Sequence, residues 1–193
     1  MKISQFPIAL SALALAVCLT GCASFGSILP SAKSPRHTLH KELYENARPE
    51  ETSITVSLLE QRASLLGKNG EILLETDISS GADGFETPPG NYKILEKLPT
   101  KFSNRFGRYV VPETGKIVVA KAWQHKGPPP LGTTYQGIEM PLWMRLTWDG
   151  VGMHVGKFDR RVRSSGGCIR VPIEAQNLLY PKTCVGTQVK VAP

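Results

Sequence analysis

From Ser53 onward the chain is written in short apolar runs cut by turn residues, a texture that restricts it to a mainly β fold with short helices (α+β). Ile54-Thr55-Val56-Ser57-Leu58-Leu59 and Arg62-Ala63-Ser64-Leu65-Leu66 have strand length and composition. Asn69-Gly70 supplies a tight hairpin turn, and Glu71 to Thr76 returns. Asp77 to Pro89 reads as a loop, Asn91 to Lys97 and Lys116 to Trp123 as further strands. The stretch from Pro99 to Pro112 is of mixed character and carries no assignment. Gly127-Pro128-Pro129-Pro130-Leu131-Gly132 lacks the amide donors a regular element needs and is a loop. Leu142 to Thr147, the turn Trp148-Asp149-Gly150 and Val151 to His154 form a hairpin that ends on a histidine. Lys157 to Arg163 is a basic loop, Pro172 to Tyr180 a helix with Pro in its first turn, and Thr187 to Val191 a closing strand.

The loop after that hairpin carries Ser164-Ser165-Gly166-Gly167-Cys168-Ile169-Arg170. A thiol attacks only as its thiolate, so a catalytic cysteine needs a base or a positive field beside it. Cys168 and His154 are the candidate nucleophile and base. Gly166 and Gly167 let the backbone turn tightly and bring amides to a bound carbonyl, as an oxyanion hole requires, and the Ser165 hydroxyl ties that turn together. The helix starting near Pro172 is expected to point its positive end back at the thiol. Arg170 suits a planar carboxylate of a substrate, or equally an ion pair bracing the loop. Arg160, Arg161 and Arg163 read as a solvated basic loop, with substrate carboxylates as the other reading. His125 reads as structural or solvated, with a second catalytic histidine as the other reading.

A histidine with a glycine close behind, followed by Ser-x-Gly-Cys-Ile-Arg, resembles the signature of the L,D-transpeptidases of the YkuD domain family. Thr87-Pro88-Pro89-Gly90-Asn91-Tyr92, Met140-Pro141 and Gly186-Thr187-Gln188-Val189 match further ordered motifs of that family, so the resemblance covers roughly residues 52–191. It implies a β-sandwich or barrel with a cysteine nucleophile cleft, an acyl-enzyme on Cys168, and a part for Tyr92 and the Thr87–Gly90 element in shaping the substrate cleft. Where the family usually has a second histidine, this chain has Gly166. A side chain there is expected to lean over the cleft and tune catalysis, so a histidine restored at 166 should change the rate by about tenfold.

Met1 to Gln5 carries a positive charge, Phe6 to Leu19 is almost wholly apolar, and Leu19-Thr20-Gly21-Cys22 follows. The apolar run is short for a membrane span and reads as a signal peptide over residues 1–21. The four residues resemble the bacterial lipobox, which makes Cys22 the lipid-bearing first residue of the mature chain. Residues 22–51 then read as a tether and 52–193 as the catalytic domain. His37 and His40, in that tether, read as solvated rather than metal-binding. Removing residues 1–21 also removes Cys18 and leaves Cys22, Cys168 and Cys184. With Cys22 acylated, a disulfide would consume the nucleophile, so Cys184 reads as a small buried residue near a helix end. The formal charge of +7, which falls by one when Lys2 is removed, suits solubility or the anionic polymers and head groups of an envelope, and nucleic acid is a poor partner for an exported chain.

The resemblance implies an enzyme that acylates Cys168 with a peptidoglycan stem tetrapeptide, releases D-alanine and passes the acyl group to an amine. That amine belongs to a second stem, a lipoprotein or glycine. No cofactor and no metal is implied. The chain is expected to be a monomer on the periplasmic side of the envelope, sorted to the outer membrane where one exists because residue 23 is Ala. Two readings compete: hydrolysis by the same residues, which trims stems or detaches a lipoprotein, and an idle domain that anchors by binding peptidoglycan.

Overall fold

The computed structural model describes residues 36–158 and 161–193. The expected signal peptide, Cys22 and the tether up to residue 35 lie outside the described residues, as does Arg160. The elements in chain order are β1 His37–Leu39, α1 Lys41–Asn46, β2 Ser53–Ser57, β3 Arg62–Leu66, β4 Ile72–Asp77, β5 Gly90–Lys93 and β6 Glu96–Val110, followed by β7 Ile117–Val119, β8 Thr134–Arg145, β9 Gly152–Val155, β10 Ile169–Val171, α2 Ile173–Leu179 and β11 Gln188–Ala192. They make a six-stranded sheet, β1-β4-β3-β2-β11-β5, and a five-stranded sheet, β10-β9-β8-β6-β7.

Strict alternation of buried and half-buried residues in β2 and β3 gives the first sheet one apolar face. Ile54, Val56, Ala63, Leu65, Leu74, Val189 and Val191 from that face meet Met144, Met153, Ile169 and Val171 of the second sheet, with Ala175 and Leu179 of α2 closing the core. The mostly β, sandwich-like class expected from the sequence is the class observed.

The unassigned stretch is the middle of β6, the longest strand. Its pairing with β8 runs from Glu96↔Arg145 to Val110↔Thr134, while β7 reaches it only at Tyr109 and Val110. Along most of its length β6 therefore has a partner on one side alone, so Pro99 removes no second-side hydrogen bond. β8 is joined to β9 only through Met144 and Arg145, which gives Pro141 the same freedom. A ribbon that projects beyond the core needs no apolar face, and Phe102 and Ile138 on it are exposed. β7 is shorter than the strand expected from Lys116 to Trp123 because the chain turns into a 3-10 turn at Ala122–Gln124 that carries Trp123 back to β6.

From Arg36 to Glu51 the expected tether is instead folded onto the domain. β1 extends the first sheet by pairing with β4, from His37↔Thr76 to Leu39↔Leu74. Leu39, Tyr44 and Ala47 pack on the core, the Tyr44 hydroxyl donates to Leu178 O at 2.8 Å, and Lys182 Nζ donates to Ala47 O at 2.7 Å. The apolar positions Leu39 and Tyr44 are the physical reason: a solvated tether would leave them in water.

One buried polar residue, in the turn between β2 and β3, holds the chain where it leaves β4 towards the second sheet. Gln61, 3% exposed and at φ 53, donates Nε2–H to Leu58 O at 2.6 Å and to Ser80 Oγ at 2.7 Å, and its Oε1 accepts from Ser80 N–H at 2.8 Å. Gln61→Ala would leave the Ser80 amide and hydroxyl and the Leu58 carbonyl without this partner in a dry site, and is expected to cost about 2–4 kcal/mol in urea unfolding. Unfolding midpoints of Gln61→Ala within the error of the parent would show that water replaces the amide.

Candidate active site

The second sheet presents its core face through Met144, Met153 and Ile169, so the alternating residues point the other way. β9 and β10 are parallel with Arg170 opposite His154, and β8 and β9 are antiparallel with Arg145 opposite Gly152. One face therefore gathers Trp143 and Arg145 of β8, Gly152 and His154 of β9, and Arg170 with Cys168, the residue just before β10. Cys168 stands level with Gly152, diagonally across from His154. The space over Gly152 is taken by the Trp143 indole, since a Cβ there would meet its Cη2 at 2.5 Å.

His154 is 6% exposed and its ring lies 5.9 Å from that of Trp143. The Val155 carbonyl lies 2.8 Å from Nδ1, and because a carbonyl only accepts, it fixes the proton on Nδ1 and leaves the Nε2 lone pair available. Burial pushes the imidazole down to about 4, the hydrogen bond to the Val155 carbonyl opposes it, and the nearby Arg170 charge lowers it further. Cys168 is half-buried, and burial pushes its thiol up; the Gly152 amide and the charges of Arg170 and Lys101 pull the other way without reversing it. The thiol donates to Gly150 O at 3.5 Å, and no thiol–imidazole hydrogen bond is formed among the described residues. The resting pair is thus a neutral thiol beside a neutral imidazole.

The depressed histidine has a consequence for stability. In the unfolded chain an imidazole takes a proton below about 6.5, in the folded chain only below about 4. Stability from this group is therefore complete above pH 6.5 and is lost as pH falls towards 4, by roughly 3 kcal/mol in all. Urea melts across that window should steepen this loss in the parent and flatten it in His154→Gln; equal slopes would contradict the buried neutral state.

Two expectations for the nucleophile turn change. The helix dipole does not reach the thiol: Pro172 is the N-cap of α2 rather than part of its first turn, and β10 separates it from Cys168. At about 3.3 Å per strand residue that gap exceeds 10 Å, beyond the first-turn range of the dipole. The Gly167 amide is also engaged, since it donates to Ser165 Oγ at 3.1 Å while the Ser165 hydroxyl donates to Cys168 O. Ser165 thus ties the turn together as expected, and Gly167, at φ 113, takes a conformation that side chains disfavour.

The turn is clamped by the loop that follows β4. Ser79 N–H and O bond to Arg170 O and N–H, and Ser80 O accepts from the amides of Ser164 and Ser165. Thr87 Oγ1 donates to Gly167 O at 2.8 Å and accepts from Gly81 N–H. Only Thr87 had a motif to mark it; Ser79, Ser80 and Lys101 carry no local signal, because their partners are some 60 to 90 positions away in sequence. Arg161 pairs with Asp77 at 2.9 Å and Arg163 donates to Gly81 O at 3.0 Å, so both, exposed as a solvated loop requires, also brace this clamp.

Tyr92 is not brought to the pair. It lies on β5 of the first sheet, packs against the core and donates its hydroxyl to Pro88 O at 2.9 Å, which steadies the Thr87 turn from behind. Arg170 faces the thiol and the imidazole, and among the described residues no carboxylate pairs with it. His125 is half-buried, with Nε2 3.0 Å from Pro128 O and its ring against Tyr109. Cys184 is half-buried rather than buried, 3.5 Å from Thr187 Oγ1. His37 is half-buried in β1 and His40 exposed. Among the described residues no cluster of three His, Cys, Asp or Glu is placed to hold a metal ion.

At Gly166 a Cβ would overlap Cε2, Cζ and Cδ2 of Phe106. The backbone there is not left-handed, so the ring is the obstacle. The space expected to hold a side chain leaning over the cleft is already filled, and Gly166→His has no room until Phe106 moves.

The model of one family, the L,D-transpeptidase catalytic domain (YkuD), matches residues 51–191. Similar solved structures include an L,D-transpeptidase from Mycobacterium smegmatis (18% identity, TM-score 0.54, covering 74% of this chain and 59% of that one). One from Stackebrandtia nassauensis gives 19% identity and a TM-score of 0.53 over 76% and 58% of the two chains. L,D-transpeptidase 1 of Mycobacterium tuberculosis gives 18% and 0.52 over 74% and 62%. At these identities the likeness is one of fold, and the chain spans about three fifths of the length of the structures it matches. No curated protein matches in sequence.

Proposed function

The chain belongs to the L,D-transpeptidase catalytic domain family, and from that premise we propose that it is a cysteine acyltransferase acting on peptidoglycan stem tetrapeptides. The observation that carries the reading is His154: a neutral imidazole with its Nδ1 proton on Val155 O and its Nε2 lone pair on the face that bears Cys168.

His154 Nε2 takes the Cys168 proton as sulfur attacks the carbonyl between the third and fourth stem residues. The oxyanion is held by the Cys168 amide, since the Gly167 amide is spent on Ser165. The C–N bond breaks, the imidazolium returns its proton to the departing amine, and D-alanine leaves a thioester on Cys168. An acceptor amine from a second stem, a lipoprotein or glycine then attacks, loses its proton to His154 and regenerates the thiol. Arg170, on the same face and without a carboxylate partner among the described residues, receives an anionic group of the donor stem. Lys101 lies 5.6 Å over the Trp143 ring and adds a second positive charge beside the sulfur.

The test is to incubate the full chain, purified in detergent, with disaccharide tetrapeptide muropeptides and to weigh the products. Cross-linked dimers with free D-alanine support the transferase. Trimmed stems would assign hydrolysis by the same pair, and unchanged substrate would leave a binding domain.

Anchoring is part of the same reading. Leu19-Thr20-Gly21-Cys22 supports a mature protein that begins at an acylated Cys22 and works at an envelope membrane, the outer one where present. Among the described residues no helix is long and apolar enough to cross a membrane. Intact-mass measurement showing an unmodified N-terminus, or Cys22→Ser protein that stays membrane-bound, would exclude the anchor.

A further inference from the structure

β6 departs from its ladder with β8 between Phe102, opposite Glu139, and Gly107, opposite Gly137. Ser103, Asn104, Arg105 and Phe106 therefore stand against Ile138 alone, a bulge that bends the strand and re-aims its side chains. The bend is held by the buried Ser103, whose Oγ accepts from the amides of Phe106 at 2.9 Å and Arg105 at 3.3 Å. It delivers the Phe106 ring onto the backbone of Gly166, two residues before Cys168.

Two other segments hold the ring there. Phe85, from the segment that clamps the nucleophile turn, meets it edge to face at 5.9 Å, and Trp123, from the 3-10 turn after β7, does so at 5.3 Å. The Arg105 guanidinium lies over both Phe85 and Phe106, at 5.1 and 5.3 Å from their centroids. The Phe85 carbonyl also stands 3.6 Å from where a Cβ on Gly167 would be. The aromatic contacts thus join the projecting ribbon to the turn on which the thiol sits.

We propose that Phe106 is a positioning residue for the nucleophile: its ring stands where the side chain of residue 166 would, and so fixes the Ser165–Cys168 turn to the β6–β8 ribbon. The proposal rests on Cys168 being the nucleophile of the acyl transfer described above. It requires that residues 106 and 166 share one volume, so that enlarging 166 is harmful only while the phenyl ring is present.

The experiment is a double-mutant cycle of Gly166→Ala and Phe106→Ala in the full chain. Two readouts are taken: D-alanine release, split into kcat and KM, and the pH midpoint of Cys168 alkylation by iodoacetamide, read from the mass of its peptide. Gly166→Ala is expected to lower kcat by about tenfold in the native background and to change it less than about twofold beside Phe106→Ala. Phe106→Ala should itself lower kcat more than it raises KM and move the alkylation midpoint down, as water reaches the sulfur, while Phe106→Leu keeps both near the parent. Equal effects of Gly166→Ala in the two backgrounds, a harmless Gly166→Ala in the native one, or Phe106→Ala with parental kcat and midpoint would each overturn the assignment. If the parent turns over no muropeptide, the acyl-transfer reading fails while the alkylation cycle still decides whether the two residues share their space.

Discussion

Cys168→Ala protein will release no measurable D-alanine from tetrapeptide muropeptides and form no covalent adduct with them, yet will melt within a few degrees of the parent. The first half follows from chemistry: the methyl group has no electron pair to offer the carbonyl, and among the described residues no other thiol shares the face. Cys184, the remaining cysteine among the described residues, sits near Thr187 and Pro49 in the turn before β11, bonded to neither His154 nor Arg170. The second half follows from packing. Cys168 is half-buried and its thiol makes one long hydrogen bond, so its removal creates little cavity and orphans only Gly150 O. Normal product formation by Cys168→Ala would rule out the acyl-enzyme.

His154→Ala should lower D-alanine release by roughly 10²–10⁴-fold, the usual contribution of a positioned general base. On the proposed mechanism the imidazole takes the proton of a thiol that burial keeps neutral at rest, and among the described residues His154 is the one side chain gathered on that face with a basic lone pair to offer. The acid limb of the parent's pH profile should therefore lie near the histidine's depressed value of about 4. Loss of less than threefold in His154→Ala, or an acid limb at an ordinary histidine value, would move the base elsewhere. Residual activity in His154→Ala should rise with pH as hydroxide removes the thiol proton directly.

What was legible beforehand divides along physical lines. Alternation and turn chemistry are local, so β3 and the hairpin at Asn69-Gly70 read directly, as did the strand that ends on His154. The ordered motifs placed Cys168 and His154, which the parallel pairing of β9 with β10 brings to one face. What escaped depends on distant partners. Leu39 and Tyr44 look like sparse apolar residues in a polar tether until β4 and α2 are present to receive them. The long ribbon of β6 and β8 escaped because its stability comes from pairing, with no buried face to impose a period of two. Gly166 looked like an empty place, and only the fold shows that Phe106, 60 positions earlier, fills it.

The neutral resting thiol also bears on durability. Peroxides and stray disulfides react with thiolates, and susceptibility follows thiolate character together with access. Cys168 has access, being half-exposed, but burial raises its pKa and so favours the protonated thiol. At rest the sulfur is consequently a slow target for oxidation to sulfenic acid and beyond. Were the turn to hold a standing thiolate, the proposed nucleophile would stand open to irreversible loss throughout.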